Sequence, residues 1–407
     1  MFGSIYIGLS GLNAYSRGLQ MVSNNVTNLN SQGFKSSTVN FSDLFGNQGS
    51  GGLSFSSGEG SAGHGVEVGG SHYDMAQGEL RQTDRDLDLA VDGSGFMMLM
   101  RGDEVAYTRT GSFEVDKDGY IVLSGTEYRL AMLDPSGHPV NVSIDTSRSS
   151  EPKPTTTVKF ANNLSADATT AGTGGAPDTP VTVPDIKVYD KNGGAHTWKV
   201  SFTRDTSVPG QWSVKVTDEK GTDIASQALK FIAGKPDPTT TTLTFADTLN
   251  DTDTTNDLSV SLDFTDITSY TAGNAETLSA KSTDGYALGS LTSVKVNNKG
   301  ELELGYSNDQ KKQLGAVAVA DFRDPSALKQ RSGGLFTDSG SAGRQLMTTD
   351  DPRGGNIVSR RLEASNVDLS AEFGDLILIQ RGFQASSQII SVSNDMIQQL
   401  FGIRGQG

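Results

Sequence analysis

Four histidines, an alternating run of aspartates and one glycine-rich tract are the residues of this 407-residue chain whose types and spacing could do chemistry. His64 and His72 form a His-x7-His pair inside a Gly-rich stretch, and His138 and His196 stand apart. None belongs to an H-x-x-x-H element or sits beside a Ser or acidic partner in a recognisable motif, and the His64/His72 pair in its Gly-rich stretch reads as solvent-exposed rather than as a metal site. Asp84, Asp86 and Asp88 could present alternate oxygens to calcium. A calcium loop of the EF-hand kind, however, needs Gly at its sixth position and Glu at its twelfth. Those places hold Leu89 and Gly95, so the series reads as a solvated strand face with Leu87, Leu89 and Val91 turned the other way. Gly58-Glu59-Gly60-Ser61-Ala62-Gly63 matches G-x-G-x-x-G by letters, but no strand precedes it and no helix follows. There is no G-x-S-x-G and no phosphate-binding loop. With no cysteine the chain has no thiolate nucleophile, disulfide or Cys-ligated metal. The expectation is a protein that is not an enzyme and carries no cofactor or metal.

Composition points the same way. Gly is 48 of 407 residues, hydrophobic residues are 35% and charged residues 20%, a turn-rich and hydroxyl-rich chain. The net charge of −15 lacks the basic face that nucleic-acid binding requires. The longest apolar runs, Phe96–Met100, Gly315–Ala320 and Leu376–Ile379, fall far short of a membrane span, so no membrane insertion is expected. The first charge is Arg17, with no basic region ahead of an apolar core, so any route out of the cytoplasm is expected to need no cleaved signal peptide.

The elements that carry the strongest pattern lie at the two ends. Ile5, Leu9, Leu12, Tyr15, Leu19, Val22, Val26 and Leu29 recur in steps of three and four, one seam of a coiled-coil-like helix. Ser10, Ala14 and Gly18 add a strip of small residues that lets another backbone come close, and Gly33 is the expected left-handed cap. Near the other end Leu362, Leu369, Leu376, Phe383, Ile390 and Ile397 are spaced by seven, with partial companions at Phe373, Ile379, Leu400 and Phe401. Asn366, Gln380, Ser387 and Asn394 are polar seam positions, of a kind that can fix register between helices. Gly402 closes the pattern and Arg404 suits a helix C-terminus. Pairing the two ends with each other leaves each helix an uncovered face, so these ends are expected to order fully only against copies of the same chain. The apolar seams are the expected polymerisation interface.

Between the ends the period changes to two. The reading is mainly β with terminal α-helices, nested. Residues 1–30 form an N-terminal polymerisation helix, 31–75 an extended connector, and 76–148 the first segment of an inner β-domain. Residues 149–289 form an inserted β-sandwich or barrel, 290–358 the second inner segment, and 359–407 the C-terminal polymerisation helix. The insert holds roughly one Thr in five and alternates cleanly at Trp212, Val214 and Val216 and at Leu258, Val260, Leu262 and Phe264. Asp251 to Asp257 reads as an exposed loop.

Three strings then resemble the signatures of the bacterial flagellar rod and hook axial proteins. Ser23 to Lys35 (SNNVTNLNSQGFK) resembles the N-terminal signature. Leu87 to Leu99 (LDLAVDGSGFMML), Tyr107 to Phe113 (YTRTGSF) and Asp118 to Val122 (DGYIV) resemble the body signature. Ser365 to Leu369 (SNVDL) and Gln380 to Ala385 (QRGFQA) resemble the C-terminal one. Within that family the large insert is similar to hook-type members rather than distal-rod ones, and the terminal helices are much shorter than those of flagellins. The resemblance implies a homopolymer, a curved tube acting as a universal joint between motor and filament, its terminal helices lining a central channel that Gln380, Ser387 and Asn394 would face if they do not fix register between helices. It also implies export through the flagellar type III apparatus, with the distal rod, the hook cap and the hook–filament junction proteins as partners. A distal-rod drive shaft and a secreted adhesive or carbohydrate-binding β-protein are the alternatives; a binding module has no use for seams at both ends.

Overall fold

A computed structural model describes residues 2–43, 65–166, 180–205, 207–248, 257–271, 277–349, 351 and 353–404. The glycine tract at 58–63, His64 and the acidic stretch 251–256 lie outside these residues. The described part is mainly strand, flanked by two long helices, α1 (Phe2–Thr27) and α2 (Leu369–Arg404). The chain divides into two compact units: Met1–Asp145 with Val294–Leu304 and Lys312–Gly407, and Thr146–Ser293 with Gly305–Lys311.

The first unit is built from both ends of the chain. Strand Phe96–Arg101 pairs antiparallel with Glu104–Thr108, Arg129–Leu133 and Val319–Phe322, so early and late segments share one sheet. Its core is aromatic: Phe96 meets Phe322 and Phe336 edge-on at 5.5 Å, and Tyr107 meets Phe322 at 4.9 Å. Strand Asp88–Asp92 pairs on one side with Thr110–Val115 and on the other with Asn356–Ser359. The burial along that strand corrects the reading of the aspartate series. Asp84 is exposed and Asp86 half-buried beside Arg360, but Asp88 is buried 3.8 Å from Arg85, as are Leu89, Ala90 and Val91 after it, so both faces of the strand are covered.

The second unit is a sandwich. A five-stranded antiparallel meander runs in chain order through Val181–Tyr189, Ala195–Arg204, Gln211–Thr217, Asp223–Ile232 and Lys235–Pro236. A four-stranded sheet has the order Thr242–Asp247, Leu258–Thr268, Thr157–Asn163, Ser279–Thr283, with its middle pair parallel. Trp198, Phe202, Trp212 and Val214 from one sheet and Phe160, Phe245, Val260 and Phe264 from the other form one buried cluster, which decides for a sandwich. Phe202 stands edge-on to Phe160 at 6.0 Å and to Phe264 at 5.9 Å.

Three expectations near the ends need correcting. The 31–75 span is not only a connector: Ser37–Asp43 and Val66–Tyr73 pair as an antiparallel hairpin, and Phe41 packs on Tyr15 of α1 with ring centroids 5.7 Å apart. Gly33 has φ +63 but does not cap α1, which ends at Thr27; its amide donates to Glu363 O at 2.8 Å and turns the chain into the body. The C-terminal helix begins at Leu369 and continues through Gly402 to Arg404. Leu362 therefore lies on a short strand, Arg361–Glu363, paired with Leu80–Gln82. Asp368 sets the start of α2, its carboxylate accepting from Ser370 N at 2.8 Å and Ala371 N at 3.4 Å.

Candidate assembly interface

α1 and α2 lie side by side and antiparallel. Gly8 sits against Ile390, Gly11 against Ser386, Tyr15 against Gly382, Gly18 against Ile379, and Asn25 bonds Glu372, so each step along one helix matches a step back on the other. The touching face of α1 is the small strip Gly8, Gly11, Ala14, Gly18, Val22 and Asn25, all buried. A β-carbon added at Gly8 would stand 2.7 Å from Ile390 Cγ1, and one at Gly382 would stand 2.4 Å from the Tyr15 ring. Glycine there is a packing requirement: it lets the backbones approach where any side chain would hold them apart.

The seam residues divide accordingly. On α1, Val22 is buried and Ile5, Leu12, Tyr15, Val26 and Leu29 are half-buried, whereas Leu9 and Leu19 are exposed. On α2, Leu376, Ile390 and Ile397 turn toward α1 with Ile379, Gly382 and Ser386, whereas Leu369 and Phe383 face solvent. Phe383 is one position on from Gly382, at the narrowest part of the pair, and stays 43% exposed. Ala14 and Gly18 serve the close approach expected of them. Ser10 does not meet α2; its hydroxyl donates to Ile7 O and accepts from Val66 N of the hairpin.

What the pair leaves uncovered is large. Leu378, Ile389, Val392 and Met396 form an exposed apolar stripe on α2, Phe373 and Ile377 flank its start, and Tyr6, Ile7 and Leu9 do the same on α1. A groove of about 400 Å³ lined by Tyr6, Leu9, Arg17, Val66 and Val68 runs beside α1. Away from these stripes, Gln380, Ser387 and Asn394 are exposed, and Gln384, Ser391 and Gln398 interleave with them in steps of four and three. The result is an uncharged amide and hydroxyl face along α2. Exposed apolar stripes rimmed by polar residues are where protein–protein contacts concentrate.

Beneath the helices lies a buried polar knot. Lys35 Nζ is 2.6 Å from Glu363 Oε1 and Arg109 Nε is 3.1 Å from Oε2, with the three side chains 0%, 2% and 0% exposed for Lys35, Arg109 and Glu363. Lys35 also donates to Ala76 O, Gly78 N to Glu363 Oε1, and Arg109 to Gly95 O and Gly93 O. Burial lowers the Lys35 pKa against the pull of Glu363. Asn366 accepts from Ser36 N and donates to Asp74 O and Ala76 O. Asn25 donates to Glu372 Oε1 and Ser37 O; burial raises the Glu372 pKa, Asn25 opposes that, and Asp375 and Asp368 add to it. Asn25, Lys35, Arg109 and Asn366 all stand inside the recognised strings, but their roles depend on Glu363 and Glu372, which carry no motif of their own. Of the histidines, His72 is exposed and His196 bonds Asp190 Oδ2 at 3.1 Å across a turn. No helix among the described residues is long and apolar enough to cross a membrane.

Four family models match, in chain order. They are described as flagella basal body rod protein (residues 5–35), flagellar hook protein FlgE/F/G D1 domain (90–159), flagellar basal body protein FlaE D2 domain (163–286) and flagellar basal body rod FlgEFG protein C-terminal (358–403). The flagellar hook protein FlgE of Treponema pallidum is 27% identical over 99% of this chain and 100% of its own length. That of Salmonella typhimurium is 29% identical over 97% and 98%. The crystal structure of a Helicobacter pylori flagellar hook protein, FlgE2, aligns at a TM-score of 0.46 and 13% identity over 70% of this chain and 99% of that one. With both terminal models, both body-domain models and end-to-end relatives in agreement, the chain belongs to the flagellar hook and basal-body rod protein family.

Proposed function

We propose that this chain is the structural subunit of the flagellar hook, a homopolymeric tube that transmits motor torque to the filament. The observation that carries the reading is the helix pair, which packs closely through its small residues and leaves a stripe of large apolar residues exposed. Burying side chains such as Leu378, Ile389 and Phe383 against neighbouring copies contributes ~1.5–3 kcal/mol each, enough over several neighbours to hold a tube. The β-units, faced with Thr, Ser and Asp, then supply wetter contacts that shift as the tube bends. The inserted sandwich favours a hook subunit over a distal-rod shaft, which lacks such an insert. The uncharged face around Gln380, Ser387 and Asn394 suits the lining of a central channel, since it offers a passing chain neither apolar adhesion nor fixed charge. Export through the flagellar type III apparatus without a cleaved signal, and contacts with the distal rod, hook cap and hook–filament junction proteins, belong to the same reading.

The test separates the two sides of α2. Phe383→Asp places a charge on the outward face and is expected to abolish tube formation, seen by electron microscopy of the purified protein. The Trp fluorescence of the sandwich, which holds both tryptophans (Trp198 and Trp212), should be unchanged. Leu376→Asp strikes the internal pair and is expected to remove α2 helicity as well as assembly. Normal tubes from Phe383→Asp overturn the reading.

A further inference from the structure

The knot beneath α1 is lopsided along the chain, and this feature stands on the monomer alone, independent of the hook reading. Its two cations, Lys35 and Arg109, come early; the carboxylate that both use, Glu363, follows by 328 and 254 residues. The uncharged contacts repeat the pattern, with Asn25 meeting Glu372 347 residues later and Ser36 N donating to Asn366 330 residues later. Glu363 also gives its own amide to Thr110 Oγ1 and its carbonyl to Gly33 N. The root of α1 is thus seated by the segment that precedes and opens α2.

We propose that Glu363 is the latch of a built-in folding order: the segment after α1 stays undocked from the β-body until residues 363–372 arrive. Without Glu363 the closed site encloses two cations at close range. Arg109 and burial both act against a charged Lys35, and the carboxylate holds it. An uncompensated buried charge costs more than leaving the site open to water, so the open arrangement is the stable one until the carboxylate comes in. On their own side of the chain the groups that Lys35 and Arg109 hydrogen-bond are carbonyls, those of Ala76, Gly93 and Gly95, and Asp74, an early carboxylate that also favours a charged Lys35, acts on it more weakly than Glu363. A chain presented N-terminal end first therefore keeps α1 from locking onto the body until nearly all of it is present.

Pulse-labelling hydrogen exchange during refolding of the full chain, read by mass spectrometry, tests the order. Amides of Gly33, Ser36 and Gly78 are expected to gain protection together with Glu363 and Ala364; protection of the first group ahead of the second overturns the proposal. At equilibrium, Glu363→Gln keeps the shape and removes the charge. It is expected to speed exchange at Gly33, Ser36 and Gly78 by about 100-fold, from the cost of an unpaired buried charge, while strand Phe96–Arg101 keeps its protection. Adding Lys35→Met removes one of the two stranded cations and should recover at least about tenfold of that loss. Exchange in Glu363→Gln equal to that of the unmodified chain, or no recovery in the double variant, refutes the latch; if Glu363→Gln fails to fold, the refolding order of the unmodified chain decides alone.

Discussion

Replacing two glycines of α2 by alanine should move stability in opposite directions. Gly374 and Gly382 lie two turns apart on the same helix. In an exposed helix interior Gly→Ala gains up to about 1 kcal/mol, because alanine loses less backbone freedom on folding. At Gly374 nothing stands within 4 Å of the added β-carbon, so that gain is realised in full. At Gly382 the same atom falls 2.4, 2.5 and 2.8 Å from Cζ, Cε1 and Cε2 of Tyr15. The ring must retreat by about 1 Å, and Phe41 is packed on it at 5.7 Å. Overpacking of this kind costs ~1–3 kcal/mol, which outweighs the propensity gain and leaves a net loss of about 1 kcal/mol or somewhat more. Gly11→Ala is the intermediate case, since the nearest atom, 2.6 Å away, is the rotatable Ser386 hydroxyl. The assay is the urea midpoint of the 222 nm circular dichroism of the dissolved chain. Gly374→Ala should raise it, Gly382→Ala should lower it, and Gly382→Ala with Tyr15→Ala should recover most of the loss. If Gly382→Ala raises the midpoint as Gly374→Ala does, the antiparallel register of α1 on α2 is wrong.

Two further expectations concern pH. Burial raises the Glu372 pKa, so the folded state is penalised at neutral pH and relieved as pH falls through that raised value; Glu372→Gln, which still accepts from Asn25, should show a higher urea midpoint at pH 7 and converge with the unmodified chain once pH drops below the ordinary value of 4.5. Asp284 of the sandwich goes the other way. Burial pushes it up, but bonds from Thr156 Oγ1, Thr157 N, Thr156 N and Lys153 outweigh that and hold it at about 2 instead of 3.8. Its contribution is complete above about 3.8 and is lost as pH falls toward 2; discounted for partial exposure it is about 1–2 kcal/mol. Asp284→Asn should lower the unfolding free energy of the sandwich, read from Trp fluorescence in urea, by that amount at pH 6 and make almost no difference near pH 2.

Legibility in the sequence tracked how local the cause was. The alternation of Trp212, Val214 and Val216 appears unchanged in the sandwich core, because a strand with one covered face records its period in its own residues. Asp88 misled because it opens an interior strand whose residues are buried on both faces; Asn356–Ser359, which pairs with Leu89 to Asp92, comes from the far end of the chain, which no reading of nearby residues reveals. Leu362 misled because the seven-residue spacing carries on by coincidence past the start of α2, and Asp368 is the stop that outweighs it. Gly8, Gly11, Gly382 and Ser386 went unnoticed as contact residues because a hydrophobic pattern gives no weight to residues chosen for their smallness.

By itself, then, the sequence determined that the ends are helices and that the middle is β. Each of these follows from local period and residue type. The tertiary structure alone decided which helix face pairs inward, that a stripe of large apolar side chains is left exposed, and that Lys35 and Arg109 share Glu363. Those outcomes turn on contacts between residues hundreds of positions apart. There the space available at a glycine and the cost of an unpaired buried charge settle what periodicity leaves open.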